Sequence, residues 1–414
     1  MSVFTVFTII VCILIFSFLL ENGLEILNGR YAPHTLPKKL EGIYTQKKYI
    51  KSLQYQKTNR NFSHISSGFM FVFALGFFLA GGFGWLNQIL CQITAQPILL
   101  ALLYFGIIGF VMTVINLPFS WYHTFVIEQK FGFNKSTQKT FWLDVLKSLI
   151  ISAILGGGIL SLVIWIYSLS PEWFWLAAWG AMAVISVFMN LFYSKLIVPL
   201  FNKQTPLPDG ELRIAIENFS NRVGFKLENI FVIDSSKRSS KSNAYFTGFG
   251  KQKRIVLYDT LIDSHSTDEL VAILAHEIGH YKKKHILRNL FISLAQSLLM
   301  FFLLGLFLSS NTIAEAMGAE QASFHVNIIA FGLLYSPFSL IFGLLGNILS
   351  RKYEYEADCF AAKNTDAKVM QDALKKLSVD NLSNLHPHPL YVFFHYSHPT
   401  TLQRLEQLDK FITT

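Results

Sequence analysis

Residues 276–280 read His-Glu-Ile-Gly-His. On a helix, side chains four apart share one face about one turn apart, so His276 and His280 can both reach one ion. Glu277 then stands beside the ion's open position, placed to take a proton from water. A catalytic zinc takes three protein ligands and leaves a fourth position free. The run Arg351-Lys352-Tyr353-Glu354-Tyr355-Glu356-Ala357-Asp358 offers the third. Glu354 and Asp358 are again four apart. Glu354 can ligate while Asp358 accepts a hydrogen bond from a ligand histidine and sets its tautomer. Glu356 falls on the opposite side of that helix and is expected in solvent. His285 is expected at the membrane interface with a structural role. The chemistry of such a set is hydrolysis. Zinc polarises a carbonyl and makes a nucleophile of water near neutral pH, and Glu277 carries the proton to the leaving amine. Either run alone fits a polar patch on a helix or a charged juxtamembrane segment. Their coincidence in one chain favours the metal.

The elements that must carry these residues are mostly apolar. Of 414 residues, 52% are hydrophobic and 15% charged, against roughly 25% charged in a soluble protein. Seven apolar blocks are long enough to span a bilayer, near 3–20, 68–89, 97–119, 145–168, 173–197, 289–309 and 326–349. The first has no Lys or Arg ahead of it and no small-x-small site after it, so it reads as a retained span. Cys12, Cys91 and Cys359 lie far apart and read as small apolar filler.

Between the blocks lie polar stretches. The chain reads as a membrane region of five spans over 1–202, a catalytic insertion over 203–288, two further spans over 289–350 and a tail over 351–414. The insertion opens on a turn, Pro206 to Gly210, and an amphipathic helix, Glu211 to Val223. A strand at 230–233 and a hairpin of 245–249 with 254–258 follow, around Gly248 and Gly250. Ser266 with Glu269 three residues on predicts a capping box, opening the helix that carries His276 and runs into the sixth span. Pro118 and Pro337 read as kinks within spans.

The net charge of +9 is a topology signal and does not call for nucleic acid. All 35 Lys and Arg fall in alternate segments or at the span ends that adjoin them, hence on one side, and the segments near 90–96, 169–172 and 310–325 hold none. By the positive-inside rule the N-terminus is outside, and the insertion and tail are cytoplasmic.

Further runs extend the pattern. Residues 124–137 contain Glu-Gln-Lys-Phe-Gly-Phe-Asn, 237–262 contain Lys-Ser-Asn-Ala-Tyr-Phe-Thr-Gly-Phe-Gly, and 395–405 read His-Tyr-Ser-His-Pro-Thr-Thr-Leu-Gln-Arg-Leu. With the two metal runs these make five motifs, and the chain closely resembles the type I CAAX prenyl endopeptidases from its first loop to near its end. The resemblance implies a mainly α fold, a seven-span helical barrel enclosing a chamber, with a small cytoplasmic α+β zinc-protease region carrying a short β-sheet. It implies one zinc per chain on His276, His280 and Glu354, with Glu277 as the base. Asp358, His398 and Arg404 would support catalysis, Asp358 as a proton donor and His398 at the oxyanion. Asn243, before an edge strand, would hold the substrate backbone, since an extended peptide can add to such an edge. His395 is expected to be structural. The implied partners are a peptide or protein substrate, including the C-terminal peptide of a lipidated protein, and membrane lipid; no oligomeric state is implied. The chain ends without a dilysine signal and the segment near 310–325 is short. Both favour a bacterial cell membrane over the endoplasmic reticulum and weaken the case for a prenylated substrate. A general membrane-protein quality-control protease is the alternative, although such enzymes have fewer spans. A receptor or transporter leaves the metal constellation without a use.

Overall fold

The computed structural model describes residues 1–31, 36, 39, 45–225, 230–248 and 253–412. Seven helices are long and apolar enough to cross a bilayer: Val3–Tyr31, Gln46–Leu79, Pro97–Phe131, Gln138–Leu169, Phe174–Phe201, His285–Phe307 and Phe324–Asn364. Each packs on its neighbour in sequence, and the seventh returns to the first. The spans therefore form a closed ring. Only 6–11% of each span's most apolar window is buried, as expected of a wall one helix thick with lipid on one face and a hollow on the other. A cavity of about 1490 Å³ lies along the third and fourth spans and reaches Ile328 of the seventh. Thr113, Asn116, Ser120, Ser148 and Ser152 give its lining polar points.

Three boundaries differ from the sequence expectation. The block near 68–89 predicts a second span there, but the helix is Gln46–Leu79 and the chain turns at Gly81 with φ 68°. A residue without Cβ takes that conformation at little cost, and the remaining apolar residues form a separate helix, Gly82–Ile93. That helix sits against Gly318. A Cβ on Gly84 would overlap the Gly318 carbonyl, so a glycine is needed where the backbones meet. The helix bearing His276 does not run into the sixth span. It ends at Lys282, and Lys284 adopts φ 59° before a new helix starts at His285. In contrast, the seventh span and the Glu354 run form one continuous helix of 41 residues. The third ligand thus rides on a rod anchored in the ring.

A four-stranded sheet stands at the basic end of the ring, in the order β1 (Gln204–Pro206), β2 (Ile230–Ile233), β4 (Arg254–Tyr258), β3 (Ala244–Thr247). β2 and β4 are parallel, and the other two pairings are antiparallel. The expected hairpin is present as β3 and β4, shorter than predicted; Phe249 and Gly250 lie outside the described residues. β1 has no strand signature, and its Pro206 is tolerated because β1 is an edge. The other edge, β3, has one side free among the described residues.

The sheet, the helix Glu211–Arg222, the His276 helix and the tail helices share one apolar core, with Ile216, Leu257, Leu274 and Ala373 fully covered. The segment leading into β3 is tied to the ring. Arg238 makes two hydrogen bonds to Asp144, of 2.7 and 2.8 Å. Lys241 meets Glu128 at 2.9 Å, and Tyr55 donates to the same carboxylate. Ser242 exchanges two backbone bonds with the Asn381 amide of the tail. Cys12 and Cys91 lie on exposed helix faces, so they do not fill packing as expected, and all three cysteines are free.

Candidate metal centre

The site begins with a well-capped helix. Ser266 accepts from the Glu269 amide, and the Glu269 carboxylate accepts from the Ser266 amide at 2.7 Å. From that start, Thr267–Lys282 buries Leu270 and the run Ala272 to His276 against the tail. Where it crosses the Glu354 helix the two backbones nearly touch. A Cβ on Gly279 would lie 3.1 Å from Ala357 Cα and 3.2 Å from its carbonyl oxygen. That approach brings the ligands together.

His276 Nε2 and His280 Nε2 are 3.1 Å apart. Glu354 reaches both, at 3.4 Å from His276 and 3.3 Å from His280. Donors on a tetrahedral zinc with bonds of about 2.0–2.1 Å stand roughly 3.3–3.4 Å apart, so these spacings match the edges of such a shell. Glu354 Oε2 is buried and accepts no hydrogen bond from a described residue. Two imidazole nitrogens aimed at each other and an unpartnered carboxylate oxygen share one missing partner, a cation. Among the described residues these three form the group able to hold a metal.

The surroundings fix the orientation of each ligand. His276 Nδ1 is 2.8 Å from Asp358, and Arg404 grips the same carboxylate through Nε at 2.8 Å and Nη2 at 2.6 Å. Asp358 is 0% exposed and both its oxygens are engaged, so the carboxylate faces His276 and Arg404 and has no side open to a substrate. Burial disfavours the Arg404 charge, but Asp358 and Glu354 outweigh it and hold the guanidinium firmly protonated. His280 Nδ1 is instead 3.0 Å from His285 Nδ1. His285 is buried, and its Nε2 lies 3.1 Å from Glu356. His285 departs from expectation, because the break at Lys284 folds the start of the sixth span under the site; Glu356 keeps a side chain 29% exposed, as its outward position predicts, with one oxygen turned to His285.

Glu277 is half-buried, and its carboxylate accepts no hydrogen bond from a described residue. Burial pushes its pKa up, against the pull of the two histidines. His398 lies across the site with Nε2 3.2 Å from Glu354; its side chain is 62% exposed, so it faces the open side. Asn243 is placed apart. It is exposed at the start of β3, and its side chain bonds its own neighbour's amide, Ala244. His395 is outside the site, 3.4 Å from Glu21 of the first span. Sequence reasoning thus missed His285 and Glu356. No local signal marks them, because lysines 282–284 are ordinary helix formers and the break at Lys284 shows only in the backbone.

Residues 29–203 match the family model described as the CAAX prenyl protease N-terminal region with five membrane helices, and residues 206–412 match peptidase family M48. A CAAX prenyl protease 1 homolog from Arabidopsis thaliana is 38% identical over 387 residues, covering 91% of this chain and 90% of that protein. CAAX prenyl protease 1 of Saccharomyces cerevisiae is 39% identical, covering 75% and 72%. A crystal structure of S. mikatae Ste24p superposes with a TM-score of 0.92 at 34% identity, covering 98% of this chain and 99% of that one. With that fold, those motifs and the zinc site of His276, His280 and Glu354, the chain belongs to the CAAX prenyl proteases of peptidase family M48 and is a membrane zinc metalloprotease.

Proposed function

We propose that the protein removes C-terminal peptides from prenylated proteins, binding them as an extended strand and cutting them at the cytoplasmic end of the ring. The observation that carries this reading is the location of the metal centre, where a hollow, lipid-facing ring meets a free sheet edge. A lipid-modified chain can enter from the membrane while its peptide pairs along β3. Zinc, when bound, polarises the scissile carbonyl and makes water nucleophilic near neutral pH. Glu277 takes the proton and returns it to the leaving amine, a role that suits its unbonded carboxylate. His398, on the open side, donates a hydrogen bond to the developing oxyanion. Asp358 and Arg404 act by orienting His276, since both are spent on each other and on that ring. Asn243 positions the substrate backbone at the mouth of β3.

The orientation follows from the basic residues, with the N-terminus outside and the insertion and tail in the cytoplasm. The relatives named above are eukaryotic, which agrees with a prenylated substrate, whereas the short segment 308–323 between the sixth and seventh spans favours a bacterial cell membrane and a substrate without the lipid. The test is a pair of reporter peptides of one sequence, farnesylated and not. The purified protein should cut the farnesylated form in a chelator-sensitive way, and Glu277→Gln should keep zinc while losing cleavage. Equal cutting of both peptides would overturn the lipid requirement. An active Glu277→Gln would overturn the base.

A further inference from the structure

His285 and Glu356 have no part in the reaction as described, yet they stand in direct line behind a zinc ligand, His285 buried and Glu356 partly exposed. His285 is 2% exposed, and its ring stacks on Tyr353 with centroids 4.0 Å apart and planes 10° from parallel. We propose that His285 and Glu356 form an orienting relay for the zinc ligand His280, complementary to the Asp358–Arg404 pair that serves His276.

Valence dictates the proton positions. His280 turns Nε2 to the metal, so a neutral ring carries its proton on Nδ1 and donates there. The partner at 3.0 Å is His285 Nδ1, which must therefore accept. The proton of His285 is then on Nε2, and that atom faces Glu356 Oε2 at 3.1 Å. Each link determines the next, and the carboxylate at the end holds the whole chain in one tautomeric state. Such partners fix the ring of a metal ligand and raise its basicity.

The backbone is built to make this contact. On an unbroken helix, a residue five positions past His280 would point about 140° away from it. His285 returns to His280 because Lys284 sits in the left-handed region, φ 59° and ψ 31°, a conformation unfavourable for a side chain with Cβ. That bend ends one helix and starts the sixth span with His285 as its first residue. Tyr353, one residue before the ligand Glu354, supplies the stacking surface, so the relay and the third ligand are set by the same turn of helix. The inference rests on the zinc assignment and is independent of the substrate.

The test measures zinc affinity of the detergent-solubilised full chain by competition with a chromophoric chelator. His285→Phe keeps a flat ring for Tyr353 but removes the acceptor, and is expected to weaken zinc binding about 10–100-fold. His285→Asn places an oxygen near the former Nδ1 and should recover most of that loss. Glu356→Leu should weaken zinc binding in the wild-type background and add little in the His285→Phe background, because the two act in series. Wild-type affinity in His285→Phe, or a Glu356→Leu effect undiminished in that background, overturns the relay. Should His285→Phe fail to fold, Glu356→Leu and Glu356→Gln decide. Gln keeps an acceptor and should bind more tightly than Leu, and wild-type affinity in both variants overturns it.

Discussion

His398 and Glu277 differ in what they can offer to a reaction at this centre. His398 reaches Glu354 from the open side and is largely exposed, so its removal leaves the metal shell of His276, His280 and Glu354 intact. We expect His398→Ala to retain one zinc per chain and near-normal KM while kcat falls about 10²–10³-fold, the usual cost of one oxyanion donor. Metal analysis beside steady-state kinetics decides it; loss of zinc would make His398 a ligand. Arg404 is the opposite case. It is clamped on buried Asp358, and stripping one partner from such a pair costs about 3–5 kcal/mol. Arg404→Ala should therefore appear first as a lowered Tm and zinc loss, before any kinetic change can be read.

Among the elements, the crossing of the two ligand helices governs the centre. The Cβ missing from Gly279 leaves room for Ala357 and Phe360. Gly279→Val forces the helices apart, and overpacking of this kind costs about 1–3 kcal/mol. Zinc content per folded chain should fall, whereas Gly346→Val, in an open stretch of the seventh span, should leave it unchanged. A Gly279→Val protein with full zinc would show that the spacing is not critical. The start of the same helix is tied to the tail through Glu269 and Lys376, 2.8 Å apart. Burial would raise the Glu269 pKa, but Lys376 and the Ser266 amide outweigh it and hold the carboxyl below its ordinary range. A depressed folded pKa gives stability that is fully present above the unfolded value, about 4.3, and is lost as the pH falls through the folded one. Glu269→Gln keeps the capping box but loses the ion pair, so it should lower Tm at pH 7 by the equivalent of at most about 1 kcal/mol, and the gap to wild type should close on acidification. A gap that stays constant down to pH 3.5 would assign the effect to packing.

At the scale of the whole molecule, the basic segments gather at one end of the ring because they pack on each other there. Tyr49 of the second helix lies in one cluster with Leu385 and Leu405 of the tail, and Tyr55 with Phe131 and Leu382. Reporter fusions after residues 60, 260 and 410 should therefore all report the cytoplasm, and fusions near 93, 170 and 316 the far side. One reversal among the six would mean a miscounted span. Because the tail and the insertion share a core, removing the tail should also unfold the insertion, which limited proteolysis can follow.

How much of this was legible beforehand depends on the range of the interactions. The sequence by itself determined the seven spans, the capping box at Ser266 and the pairing of His276 with His280. Each follows from local periodicity, turn chemistry or a four-residue helical spacing. It also singled out Glu354, because a carboxylate pair at the same spacing repeats the logic of the histidines. It left open which histidine Asp358 would serve. Only the tertiary structure assigned Asp358 to His276 and gave His280 a different partner, because that choice depends on how two helices some 75 residues apart cross (roughly one turn of either would exchange the neighbours). The strand β1 and the pairing of Glu356 with His285 were hidden for the same reason. An edge strand with a proline and a charged residue on the far side of a helix carry no local mark of what will pair with them; that was decided by the turn at Lys284 and the closure of the ring.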